Sequence, residues 1–169
     1  MRTLLVLASL LIVSACGFAP VYGTLGHDND FGTEDLLALV AIDNIPDREG
    51  QFLRNELINR FYRYERPVNP QYRLKVIDLT ENLRDMDITE SSDSTRAQLR
   101  MSAQIELVDA ITGESLLKRR LHSASSYNKL GSEFATRASE QSTRENVLNA
   151  LAQRIETQIA LYLKRDVID

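Results

Sequence analysis

Arg96-Ala97-Gln98-Leu99-Arg100-Met101-Ser102-Ala103-Gln104-Ile105-Glu106-Leu107 is the stretch that decides the fold. Apolar and polar residues alternate through it without a break. In a β-strand successive side chains point to opposite faces. Ala97, Leu99, Met101, Ala103, Ile105 and Leu107 therefore share one face, and Arg96, Gln98, Arg100, Ser102, Gln104 and Glu106 share the other. A strand with one apolar and one polar face belongs to an antiparallel sheet covered on one side only.

Working outward, Asp109-Ala110-Ile111-Thr112-Gly113 turns the chain, with Gly113 free to take positive φ. Residues 116–127 return as a partner strand. Leu117 and Leu121 lie on one face with Arg119 between them, which predicts a bulge there. Upstream, Tyr72, Leu74 and Val76 alternate with Arg73 and Lys75 as a half-buried strand. Residues 80–94 carry Glu81, Asp85, Asp87, Glu90 and Asp93 against Arg84 alone. Their spacing is not that of a calcium loop, and the stretch reads as the solvated end of a hairpin.

Two helices complete the pattern. The apolar run 36–42 is short and reads as an interior strand. Pro46 then suits a helix start, Asp47 and Glu49 suit its positive end, and Phe52, Leu53, Leu57 and Phe61 form a helical stripe that Pro67 and Pro70 close off. A last helix over about 140–163 has Val147, Leu148, Leu151, Ile155, Ile159, Tyr162 and Leu163 as its stripe. Arg144, Asn149, Gln153, Glu156 and Lys164 are assigned to its polar face. The expected fold is α+β: two helices packed on one face of a four-stranded, mainly antiparallel sheet, in the order β-α-β-β-β-α.

Residues 1–15 read as a signal peptide. Arg2 precedes an apolar run over 4–13, too short for the ~20 residues of a membrane span, and small residues follow it. Val13-Ser14-Ala15-Cys16 looks like a bacterial lipobox, and Cys16 is the only cysteine of the chain. The small side chains fit the narrow site of a signal peptidase, and the thiol is the nucleophile that takes the diacylglycerol. Two or more acyl chains hold a protein stably to a bilayer. Gly17 stands where an Asp would favour retention at the inner membrane, so delivery to the outer membrane is expected. Residues 16–32, with Pro20, Gly23, Gly26 and Gly32, read as the lipidated N-terminus and tether, and residues 33–169 as a single domain.

The composition narrows the function. Lys and Arg number 20 against 24 Asp and Glu, giving a net charge of −4. That argues against a nucleic-acid partner, which rewards excess positive charge. One cysteine and two distant histidines, His27 and His122, leave little for a disulfide framework or a metal. There is no Gly-rich phosphate loop, G-x-S-x-G or H-E-x-x-H motif. His122 falls in a strand among Lys118 and Arg120, where a surface imidazole is the simpler reading. No catalytic residue, metal ligand or cofactor is therefore assigned, and the chain reads as a binding or assembly part rather than an enzyme.

Cys16-Gly17-Phe18-Ala19-Pro20-Val21-Tyr22-Gly23 resembles the lipidated N-terminus C-G-F-x-P-[LV]-Y-G of the LPS-assembly lipoprotein LptE family. Arg48, Gly50, Leu53, Arg54, Asn55 and Leu57 match the R-x-G-x-x-L-R-N-x-L pattern of that family's first helix. Ser126-Tyr127-Asn128 followed by Phe134-Ala135 is similar to its S-Y-N…[FY]-A segment. The resemblance implies a non-enzymatic plug inside the outer-membrane β-barrel LptD, anchored on the periplasmic side, that takes part in lipopolysaccharide transport and insertion. A barrel lumen is polar, and a plug with a wet exterior suits it. Arg96, Arg100, Lys118 and Arg120 are candidate contacts to lipopolysaccharide phosphates; the plainer alternative is that they only solvate the sheet. A different outer-membrane scaffold, such as a peptidoglycan-associated or barrel-accessory module, would use the same anchor.

Overall fold

The computed structural model describes residues 33–62, 65–88 and 94–168. The signal peptide, Cys16, the tether and residues 89–93 of the acidic stretch lie outside the described residues. The elements run α1 (Thr33–Leu37), β1 (Val40–Ile42), α2 (Asp47–Phe61), β2 (Tyr72–Ile88), β3 (Ser94–Asp109), β4 (Ser115–Asn128) and α3 (Glu133–Ile168). The sheet order is β1-β2-β3-β4. β1 is parallel to β2, and the other pairs are antiparallel. The expected α+β class and order of main elements are what the structure shows.

The alternation in β3 does what its period demands. Ala97, Leu99, Met101, Ala103, Ile105 and Leu107 are all buried. Over them lie Leu53, Leu57 and Phe61 from α2 and Val147, Leu148, Leu151, Ile155 and Ile159 from α3. Burying each of these large side chains contributes ~1.5–3 kcal/mol against the entropy of folding. Among the described residues, those of the opposite face include Arg84, Arg100, Arg120 and His122, all exposed.

Several expectations are corrected. The run 36–42 is not one interior strand. Leu36 and Leu37 end the short helix α1, whose first turn holds Glu34 and Asp35, and only Val40–Ile42 is extended. That strand pairs with β2 alone, at the sheet edge. The whole run is apolar because the core receives Leu36, Leu37, Val40 and Ile42 from two different elements. β2 runs on from Val76 to Ile88 through a bulge between Val76 and Asp78. The extra residue reverses which positions face the core. Leu79 and Leu83 then align with the buried Ala103 and Leu99, so the alternation legible up to Val76 changes phase there. The irregularity in β4 lies at Leu116, beside the Leu107/Val108 shift, rather than at Arg119.

α3 begins seven residues before its expected start at about residue 140 and runs on to Ile168. Its first turns carry small and polar residues, and the Ala135 N–H reaches the Ser132 hydroxyl at 3.5 Å. The helix then crosses the sheet from the β4 side to α2. Arg144, Asn149 and Glu156, assigned to its polar face, turn toward the protein. Arg144 meets Glu81, Asn149 meets Arg60, and the buried Glu156 pairs with Arg60 at 3.2 Å. A helix packed on both a sheet and a second helix buries more than one stripe, and its inward charges are matched from the other elements.

Candidate functional site

The strand register places the four candidate cations on the open face. Arg96 stands beside Asn128, Arg100 beside Ala124, Arg120 beside Gln104 and Lys118 beside Glu106. They share a face without forming one patch. Arg96 and Lys118 are ten residues apart along β3, or about 33 Å. At the near end Arg120 is already engaged, donating to Asp78 at 3.3 Å and to Gln104 at 3.2 Å, while Lys118 stands opposite a carboxylate.

At the far end the structure adds a residue that sequence reading passed over. Arg84 pairs in register with Gln98, between the rows of Arg96 and Arg100. Arg84 is therefore the diagonal cross-strand neighbour of both, about 7–8 Å from each along the backbone, while Arg96 and Arg100 stand four residues, or about 13 Å, apart on β3. All three side chains are exposed. The signal was present in the sequence, but only the bulge at Ile77 puts Arg84 on the open face; without it the strand parity points Arg84 to the covered side.

A polar clamp holds this far end against α3. Arg144 donates from Nε and Nη2 to the two carboxylate oxygens of Glu81 at 2.8 and 2.9 Å, and from Nη2 to Glu140 at 2.6 Å. The Glu81 hydrogen bond, followed by the Glu140 bond, raises the guanidinium pKa further above its ordinary value. Glu140 also accepts the Tyr127 hydroxyl at 3.1 Å. Burial, then that hydrogen bond, pushes the Tyr127 phenol up to about 12. Lys129 and Asp85 close a second pair at 2.7 Å.

The family-like helix pattern has a structural reading in this geometry. Leu53 and Leu57 are core residues. Arg54 donates to the backbone carbonyls of Asp43 and Ile42, tying α2 to β1. Gly50 lies where a Cβ would come within 2.7 Å of the Ile45 side chain. Of the S-Y-N…[FY]-A residues, Tyr127 is buried in the clamp and Phe134 is exposed at the start of α3.

The clefts are shallow. One of about 310 Å³ lies between the start of α2 and the β2 bulge, beside Asp47, Glu49, Asp78 and Glu81. Asp47 opens α2 with φ of 66°, a conformation Asp tolerates better than most residues. Among the described residues no group of three His, Cys, Asp or Glu could hold a metal ion. The Asp109 carboxyl is held below the usual range because it accepts the Thr112 and Ile111 N–H groups of its own turn. Its role there is to cap the turn. His122 stands exposed on the open face, opposite Ser102.

The architecture is an open-faced, two-layer α+β sandwich with polar clusters distributed along an uncovered sheet. Solved structures of bacterial lipoproteins share it. A Caulobacter crescentus CB15 protein provisionally named as a lipoprotein is 23% identical, with a TM-score of 0.60 over 78% of this chain and 95% of that one. A minor lipoprotein from Acinetobacter baumannii is 20% identical, with a TM-score of 0.53 over 72% and 88%. Rare lipoprotein B from Shewanella oneidensis is 10% identical, with a TM-score of 0.56 over 72% and 91%. At these identities the likeness is one of fold. No family model and no curated protein matches the chain.

Proposed function

We propose that the protein is an outer-membrane lipoprotein, acylated at Cys16, that plugs an LptD-type β-barrel and takes part in passing lipopolysaccharide to the outer leaflet. The observation that carries the reading is the uncovered sheet face. Three long strands present a row of charged, amide and hydroxyl side chains on a rigid core. Such a face suits the polar lumen of a large barrel. The lipobox, the family-like segments and the fold shared with bacterial lipoproteins support the same reading.

The protein's part is binding and assembly, with no covalent step. Arg84, Arg96 and Arg100 are the best-placed groups for lipid A phosphates, because guanidinium forks make bidentate, charge-assisted bonds to phosphate oxygens. Lys118 and Arg120 form a separate, partly neutralised group. The test is detergent extraction of the acylated protein from membranes, followed by identification of what stays bound. A barrel of much greater mass is expected, with fatty acids on Cys16. Recovery with peptidoglycan or another envelope protein in place of a barrel would replace the plug with a scaffold. Recovery of an unacylated, unaccompanied protein would overturn the reading altogether.

A further inference from the structure

We infer that the anchored protein, when no barrel encloses it, rests on the membrane through the end of the sheet that carries Val68 and Ile111, with these two side chains dipped into the lipid surface. The inference rests on the acylation of Cys16 proposed above. Val68 is 88% and Ile111 92% exposed. Side chains of this kind add to the hold of an acylated protein on a bilayer in proportion to the apolar area they bury in it. The two come from different loops joined at the base, where the Ala110 N–H donates to the Gln71 carbonyl at 2.9 Å. Their loops flank a cleft of about 760 Å³ lined by Pro70, Ala110 and Ile111 together with Arg73 and Asp109, of which Arg73 is paired with Asp43 and Asp109 accepts from the N–H groups of its own turn. Between Pro67 and Gln71 there is no charged residue.

The chain comes into the domain at this same end. The Leu39 carbonyl accepts the N–H groups of Gln71 and Tyr72 at 3.0 and 3.3 Å, and Val40 pairs with Tyr72. The opposite end of the sheet also exposes apolar groups, Leu130 at 52% and Phe134 at 83%. The length of chain between the anchor and the domain separates the two ends. Residues 16–32 can span at most about 60 Å. The two ends of β3, marked by the Asp109 and Arg96 rows, are about 43 Å apart. Seating Phe134 on the membrane would stretch the tether most of the way to its limit. Seating Val68 and Ile111 requires no extension at all. A loop pair with two aliphatic tips, standing next to the point where the anchor joins, therefore has the anchoring leaflet as its nearest apolar surface. The far end, with its arginine group, then points away from that surface.

Because Cys16 is the only cysteine and its thiol is taken by lipid, single labels can be introduced elsewhere. Full-length acylated Val68→Cys, Ile111→Cys and Phe134→Cys proteins would each carry a polarity-sensitive fluorophore. They would be reconstituted without any barrel into phosphatidylethanolamine/phosphatidylglycerol vesicles that contain a lipid-borne quencher. The labels at 68 and 111 are expected to shift their emission to shorter wavelength and to lose intensity to the quencher, while the label at 134 does neither. Aqueous emission at 68 and 111 on vesicle-bound protein, or quenching at 134 instead, would overturn the inference and leave the lipoprotein reading standing. Failure to bind vesicles, with no acyl mass on Cys16, would overturn both.

Discussion

Replacing Arg144 with Met would loosen the far half of the β2–β3 hairpin from α3. The Arg144 side chain is 17% exposed, and its partners Glu81 and Glu140 are 30% and 28% exposed. At an effective dielectric of about 20, charges ~4 Å apart attract by about 4 kcal/mol. Desolvation of three partly buried groups offsets a good part of that. A net coupling of roughly 1.5–3 kcal/mol between Arg144 and Glu81 remains, well above the 0.2–1 kcal/mol typical of exposed pairs. The bidentate geometry, with both bonds under 3 Å, supports the upper part of that range. The single substitution costs somewhat more than the coupling, about 3 kcal/mol, because Glu81 and Glu140 are left facing each other. At roughly 2–4 °C per kcal/mol, the melting temperature would fall by about 6–12 °C. Urea denaturation at neutral pH of Arg144→Met, Glu81→Gln and the double variant isolates the pair. Hydrogen exchange adds a local readout: amides of residues 81–86 should exchange faster in Arg144→Met while those of α2 keep their protection. A coupling energy below about 0.5 kcal/mol would refute the argument and reduce the clamp to an ordinary surface contact.

Other expectations follow from single contacts. Tyr127 stays protonated to about pH 12 in the folded protein, against an ordinary value of 10.0. The folded state therefore binds more protons than the unfolded state between about pH 10 and pH 12, and stability falls as pH rises through that window. The full shift corresponds to roughly 2.7 kcal/mol. Screening at the partly exposed Glu140 brings the expected loss to about 1–2 kcal/mol, and denaturation curves of Tyr127→Phe should lack this alkaline loss. Gly50→Ala should lower the melting temperature despite a helix-propensity gain of about 1 kcal/mol. The new Cβ would come within 2.7 Å of the Ile45 side chain and 3.1 Å of its backbone carbonyl, overpacking that costs about 1–3 kcal/mol; a raised melting temperature would contradict this. Arg84, Arg96 and Arg100 together changed to Gln should weaken lipopolysaccharide binding at least about tenfold, on the 1.5–3 kcal/mol of each charged hydrogen bond. Lys118 and Arg120 changed to Gln should weaken it less, and equal losses in a binding titration would show that the face acts only as bulk charge.

The layer order was legible because two short-range periods carried it. The unbroken alternation of 96–107 could satisfy only a half-covered strand, and the Leu53, Leu57 and Phe61 spacing only a helix lying on it. What the linear pattern hid came from one inserted residue and from charges with distant partners. The extra residue at Ile77 is a single position in the chain, yet it decides which side of the sheet every later residue of β2 occupies.

The sequence by itself determined the types of the long strands and helices and the covered face of β3, because each depends on residues within a few positions of one another. Only the tertiary structure decided that Arg84 joins Arg96 and Arg100 while Lys118 and Arg120 stand apart. It also turned Arg144 and Glu156 inward, and it brought Val68 and Ile111 together beside the start of the domain. Those relations depend on register across strands and on how a long helix crosses the sheet. Pairings between residues tens of positions apart have no periodicity for a single chain to display.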